Sequence, residues 1–420
     1  MKKVLLLILL TSINLMAAEY TLDELLKSAV VNSGFSKQSN NYSGISKKEI
    51  SDLISNYYPQ FNIEGQATYQ SDMFRIPLNL PGMTIPDLRK DQYNVWLNFT
   101  QLIWDGGIIS NKLDMSEIST LANIENANTK IRNVIENTSN LYFAGKKIES
   151  NIKSISSAIN TLESNRKQIS SLVTNGMLNQ SNLDAVDIQI NTKQQTLFSL
   201  KEDYQSIIKK IRIFTAITDI ETLSNYEVQL DSQIEINRSE LKAMEYSQRL
   251  NTLKSDVNYS MNKPKISAFA RVGYSNPNQL NMFEQEWSDY YMLGIKFTWK
   301  PFSWFSEDKN SEIISLQNEN IELEKKEFEK QVNMLLVQEH TEIEKAKSLI
   351  EQDLLILNLQ NRIIKEKYSQ LLNGSATISE YISELNSLEI YDNNLSIHKV
   401  ILENAKINLL IKSGNYTGVE

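Results

Sequence analysis

The chain has 420 residues, no cysteine, two histidines, and 43 basic against 51 acidic side chains, for a formal net charge of −8. Without cysteine there is no disulfide staple and no thiol chemistry, and His340 and His398 alone supply a zinc centre or a catalytic triad poorly. The acidic balance argues against nucleic acid as a partner.

Residues 1–18, MKKVLLLILLTSINLMAA, predict a secretory signal: two lysines, an apolar run, and a small-residue exit at Ala17 or Ala18. Removing its two lysines, with no acid lost, takes the net charge from −8 to −10. No Cys follows, so no lipid-modified N-terminus is expected, and no later stretch approaches the ~18 apolar residues of a membrane helix.

Two halves then read alike, and a first repeat over 19–218 and a second over 238–415 are expected, joined by an equatorial segment at 219–237 and followed by a tail at 416–420. YYPQFNIEGQATYQS (57–71) matches NKPKISAFARVGYSN (262–276), and YNVWLNFTQLIWDGG (93–107) matches YMLGIKFTWKPFSWF (291–305). LVTNGMLNQSNLDAVDIQ (172–189) matches LLNGSATISEYISELNS (371–387).

Strands are predicted at about 59–72, 92–104, 264–275 and 290–300 from clean alternation. Phe61, Ile63, Ala67 and Tyr69 oppose Asn62, Glu64, Gln66 and Thr68; Val272 and Tyr274 oppose Arg271 and Gly273. Four such strands behind an export signal suit a transmembrane β-barrel, apolar towards lipid and polar towards a lumen, with tyrosines and Trp299 near strand ends as girdle residues. Between them, heptads such as Leu183, Val186, Ile190, Lys193, Leu197 and Leu388, Tyr391, Leu395, His398, Leu402 predict long antiparallel coiled-coil helices. Hairpin tips fall at about 173–182 and 372–380, where Asn175-Gly176 and Asn373-Gly374 supply the left-handed turn. The strand-to-helix corner lies at Trp104, Gly106 and Gly107, matched in the second half by Pro301 and the ring cluster Phe302, Trp304 and Phe305.

Four strands do not close a barrel. Two chains give eight strands and three give twelve; a water-lined face of Ser, Thr, Asn, Gln and Gly favours the wider ring, a trimer. The predicted fold class is therefore an α+β membrane protein, with a trimeric α-barrel of helices and a shared twelve-stranded β-barrel.

At these residues the sequence resembles the TolC family of outer-membrane channel proteins. Gln101-Leu102-Ile103-Trp104-Asp105-Gly106-Gly107 resembles the family's QPLFDGG corner, and NGMLNQSNLDAV and NGSATISEYISEL resemble its post-tip motif. TLDELLKSAVVNS (21–33), with Asn32 in the family's Asn position, and NRSELKAMEYS (237–247) resemble its paired openings. The resemblance implies a homotrimer in the outer membrane with a periplasmic helical tunnel, whose tips meet a periplasmic adaptor protein and, through it, an inner-membrane RND or ABC pump. It further implies a cation-selective aperture at the tips. Glu380 matches an acidic position of the motif, Glu384 lies one residue past the next, and Asp184 and Asp187 lie near the corresponding positions of the first tip. Leu371 and Ala376 replace the gate tyrosine and arginine of the best-known members, so the closing bonds do not transfer. No cofactor, metal or enzymatic activity is expected, because Asp184 and Asp187 at i,i+3 read as helix surface charge. The expected function is a passive exit duct for efflux or type I secretion. The alternative, an adhesive coiled-coil envelope protein, explains the heptads but not the strands.

Overall fold

The computed structural model describes residues 18–74, 88–230 and 234–416, so all but the last residue of the predicted signal, most of the 76–92 loop, positions 231–233 of the equatorial segment and 417–420 of the tail lie outside the described residues. In chain order the elements are β1 (Ala18–Tyr20), α1 (Leu22–Asn32), α2 (Gly34–Ser55), β2 (Gln60–Tyr69), β3 (Asp91–Trp104), α3 (Ile108–Thr174), α4 (Gln180–Thr215) and β4 (Ile220–Leu223). There follow α5 (Ser239–Met261), β5 (Lys265–Asn276), β6 (Ser288–Thr298), α6 (Ser306–Leu372) and α7 (Ile378–Ser413). Two strands, a 67-residue helix and a 36-residue helix occur in that order twice. The chain forms two compact units, Met1–Gln38 with Asn126–Leu241 and Lys326–Glu420, and Ser39–Glu125 with Lys242–Lys325. Each unit draws on both halves of the sequence.

In the first unit, Thr21 and Glu24 close a capping box at the start of α1: the Thr21 amide donates to the Glu24 carboxylate at 2.8 Å, and the Glu24 amide to Thr21 Oγ1 at 3.3 Å. Leu22, Leu25, Leu26 and Ala29 then fall on one face and are all buried, the three leucines in a core with Ile208, Ile211, Ile220 and Leu223. β1 pairs in parallel with β4 beside this core. The end of α4 is tied to α1 by Ser28 Oγ donating to the Thr215 carbonyl at 2.8 Å and Asn32 Nδ2 to the Phe214 carbonyl at 3.1 Å. The end of α7 is held the same way, by Arg238 on the Lys412 carbonyl at 2.6 Å and the Asn237 amide on the Ser413 carbonyl at 2.8 Å. Gly414 closes α7 at φ 86°, and a Cβ there would meet the Asn237 carbonyl oxygen.

Arg132 and Arg238 converge on Glu240, with Arg132 Nη1 at 2.6 Å and Arg238 Nη2 at 2.9 Å from its oxygens. Burial pushes this carboxyl up, but the hydrogen bonds from Arg132 and Arg238 outweigh it and hold the group down at about 2. A group depressed in the folded state stabilises above its ordinary value and loses that contribution as pH falls.

In the second unit, β2, β3, β5 and β6 form one antiparallel sheet in that order. The register keeps the alternation in step: Ile63 faces Leu97, Leu97 faces Val272, and Val272 faces Tyr291, so one apolar face runs across all four strands. Glu64, Trp96, Gly273 and Tyr290 share the corresponding rung of the other face. Among the described residues no helix is long and apolar enough to cross a membrane.

Glu240→Gln should lower thermal stability near neutral pH, and the gap from wild type should close as pH falls from the ordinary 4.5 towards about 2. Unfolding temperatures across that range test it; a gap independent of pH would remove the ionised pair as its cause.

Candidate functional site

At the first hairpin tip, α3 ends in a Schellman turn: the Gly176 amide donates to the Val173 carbonyl at 2.9 Å and the Met177 amide to the Leu172 carbonyl at 2.9 Å. At the second, the Gly374 amide donates to the Leu371 carbonyl at 3.1 Å and the Ser375 amide to the Gln370 carbonyl at 2.9 Å. Gly176 and Gly374 take φ 71° and 70°, with open space where a Cβ would stand, so the left-handed backbone alone demands glycine. Asn175 and Asn373 each precede that glycine, bonded back to Ser171 and Ser369. The two tips share one apolar cluster, in which Leu162, Ile169, Val186, Leu371, Ile378 and Tyr381 are buried. Leu371 thus packs inward, and the Tyr368 and Tyr381 rings lie 5.5 Å apart beside it.

The four carboxylates predicted at the aperture take four different partners. Asp187 is forked by Arg166, with Nη2 at 3.0 Å, and this bond holds its carboxyl below the ordinary range. Asp184 is exposed and accepts from Gln180 at 2.9 Å. Glu384 accepts from Gln360 at 2.8 Å. Glu380 completes a capping box on α7, taking the Thr377 amide at 2.9 Å, yet remains exposed. That amide first, and then the charge of Lys367, hold the Glu380 carboxyl below its usual range, so it stays ionised at neutral pH. His398, on the heptad seam, hydrogen-bonds through Nδ1 to Asp353 at 2.6 Å. Among the described residues no group of three or more His, Cys, Asp or Glu stands ready to hold a metal ion.

In the second unit the first corner is organised by buried Asp105, which accepts the Gly107 amide at 2.9 Å and the Ile109 amide at 2.6 Å and so caps α3. Gly106 has φ 79°, and a Cβ there would lie 2.7 Å from Lys263 Cβ and 2.9 Å from the Ser260 carbonyl. A bulge between Leu102 and Trp104 sets Trp104 opposite Ile266, on the apolar face. At the second corner, after Pro301, Trp304 and Phe305 take φ 54° and 60°, the left-handed conformation that Gly106 and Gly107 occupy in the first. Each bulky residue there costs about 1–2 kcal/mol. Their rings, with Phe302, form an exposed aromatic cluster.

The sheet leaves its apolar face uncovered. Thirteen large side chains of its apolar face, from Phe61 on β2 to Phe297 on β6 and counting Trp104, are 42–77% exposed. Tyr93, Tyr274 and Trp287 stack at the loop end of that face, while Trp104 and Trp299 stand at the helix end.

No family model and no curated protein matches the sequence. Solved structures do. CusC, which forms a transmembrane channel, superimposes with a TM-score of 0.73 at 12% identity over 95% of this chain and 93% of its own. The outer-membrane protein VceC of Vibrio cholerae gives 0.71 at 12% identity, over 95% and 97%. The outer-membrane channel CmeC of Campylobacter jejuni gives 0.67 at 13%, over 95% and 87%. This chain has the TolC-type channel fold. Within that fold, the sequence placed Asp105, Trp304 and Phe305 at the corners but not what they do there: the Asp105 cap on α3, although Asp ahead of two glycines is an N-cap signal, and the left-handed backbone at Trp304 and Phe305. Asn32, read only by its motif position, turns out to fasten α1 to the end of α4.

Gly106→Ala and Phe305→Gly should move thermal stability of the detergent-solubilised protein in opposite directions. The first loses at least about 2 kcal/mol to strain and clash, and the second gains about 1 kcal/mol by relieving strain. A loss with Phe305→Gly would mean that its ring contributes more packing than the backbone costs.

Proposed function

We propose that this chain is the outer-membrane exit duct of an efflux or type I secretion system, a homotrimer that passively conducts solutes delivered by an adaptor and an inner-membrane RND or ABC pump. The observation that carries the reading is the sheet: an apolar face of exposed side chains bounded by aromatic rows, and two strands, β2 and β6, each with a neighbour on one side only among the described residues. In lipid both edges must pair. Alternating directions make β6 antiparallel to β2, so β6 of one copy can pair with β2 of the next and close a ring. Three copies give a twelve-stranded barrel with a water-filled lumen, where two would leave an interior filled by side chains.

On the helices, Ile188, Phe198, Ile213, Leu355, Leu359 and Ile390 are exposed, as positions packing against neighbouring copies in a helical tunnel would be. The repeated order of elements supports an origin by internal duplication. The resemblance of the tips to the family's motif supports Asn175, Gly176, Asn373 and Gly374 as the adaptor-docking turns. Glu380, exposed and held ionised, is the best placed of the four carboxylates to line a cation-attracting aperture; Asp187 is already neutralised by Arg166. An adhesive coiled coil needs neither an apolar face whose strand charges are confined to its loop end nor open strand edges.

The mass in mild detergent should be that of three chains, and a monomer would sink the duct. In planar bilayers under a KCl gradient, Glu380→Gln with Glu384→Gln should move the reversal potential towards zero; an unchanged value removes both from the aperture. A single Cys at Asn373 carrying a photo-crosslinker in intact cells should capture a periplasmic adaptor, and an intact trimer that captures none would leave a standalone channel.

A further inference from the structure

The polar face of the sheet carries its own charge pattern. Its strands place Lys265, Arg271 and Lys296 there against one carboxylate, Glu64. The other two strand charges, Asp91 and Asp289, fall on the apolar-face register beside Tyr69 and Tyr274, at the loop end. The polar face is therefore net cationic.

Arg271 is the one of these cations that is held in place. Its guanidinium carbon lies 5.2 Å from the centre of the Trp96 ring, and its Nε donates to Asn98 Oδ1 at 2.7 Å. Asn98 is fixed in turn, its amide donating to Glu64 at 3.2 Å, and the Glu64 carboxylate also accepts from Asn62. Gly273, two residues along β5, leaves room for the Tyr290 ring, which lies where a Cβ would point and donates through its hydroxyl to Asn94 at 3.0 Å. One face and one nitrogen of the guanidinium are thus occupied. Its two terminal amino groups have no hydrogen-bond acceptor among the described residues. A cation oriented by ring and amide, with its fork open, matches the oxygens of a carboxylate, phosphate or sulfate.

On the duct reading above, this face lines the barrel lumen, and symmetry repeats each residue at one height. We propose that Arg271 is an anion-binding residue of the barrel lumen, three copies forming a collar that engages anionic groups of passing solutes. Trp96 and Asn98 are positioning residues. The collar is separate in sequence and in charge from the acidic tips, so the duct carries opposite selectivities along its path, and its current in KCl rectifies.

Single-channel recording with tripolyphosphate tests this. Wild type should be blocked reversibly, less so at high salt. Arg271→Gln, which removes the cation from every copy, should raise the half-blocking concentration at least about tenfold, the size of even one lost charge-assisted hydrogen bond. Where Arg271→Gln does not assemble, Arg271→Lys carries the test: it keeps the charge, loses the fork and the stacking, and should raise that concentration about threefold. An unblocked wild type, or block unaltered in either Arg271 variant, overturns the collar while the duct stands. Inserted wild-type trimers that conduct no ions overturn the duct, and the collar with it.

Discussion

In a medium without water every backbone N–H and C=O must find its partner within protein, and among the described residues the four-stranded sheet leaves the outer edges of β2 and β6 unpaired. The same sheet turns outward a face whose large side chains are exposed and whose strand charges are confined to its loop end. On the duct reading, edges and face make one demand together: neighbouring copies for the first and lipid for the second. A soluble protein would bury such a face against helices, and a monomeric barrel would need about twice the strands.

The corners follow from that demand. A strand paired across the sheet has to become a helix within a few residues, and the two halves of the chain do this at different cost. Asp105 caps α3 with two backbone bonds and Gly106-Gly107 take the left-handed turn without strain. In the second half Trp304 and Phe305 hold the same backbone against their preference, and their rings stand outside. Strain of this kind persists where surroundings over-determine it; an aromatic row at the foot of an exposed apolar sheet face is such a place.

Long helices raise a different difficulty, because heptad seams specify contact more readily than register. Here polar residues interrupt the apolar seams and meet partners across them: Arg166 with Asp187, Lys193 with Glu389, His398 with Asp353, and Gln360 with Glu384. A shifted helix leaves each of these groups unpaired, a penalty that apolar seam residues do not impose. The carboxylates near the tips thus divide by task, three of them tied to neighbouring side chains and Glu380 holding the first turn of α7 while remaining open to solvent.

Local chemistry made much of this legible in the amino-acid order. Alternation with period two sorts apolar from polar residues on each strand, heptads mark the helices, and glycine after asparagine marks the turns, because each of these signals resides in a few consecutive residues. Strand count set against the needs of closure is likewise read from the sequence, and the proposal of more than one chain starts there. Long-range pairing was not legible. Strict alternation sends Trp104 to the polar face, and only a bulge fixed by pairing with β5 turns it opposite Ile266. Motif spacing puts Asp187 near the aperture, and only the packing of α3 against α4 shows it spent on Arg166. Arg271 read simply as a polar-face residue, until register set Trp96 beneath it and Asn98 beside it. Faces and turns are properties of neighbours in sequence; which charge is spent and which is left open depends on residues tens to hundreds of positions away.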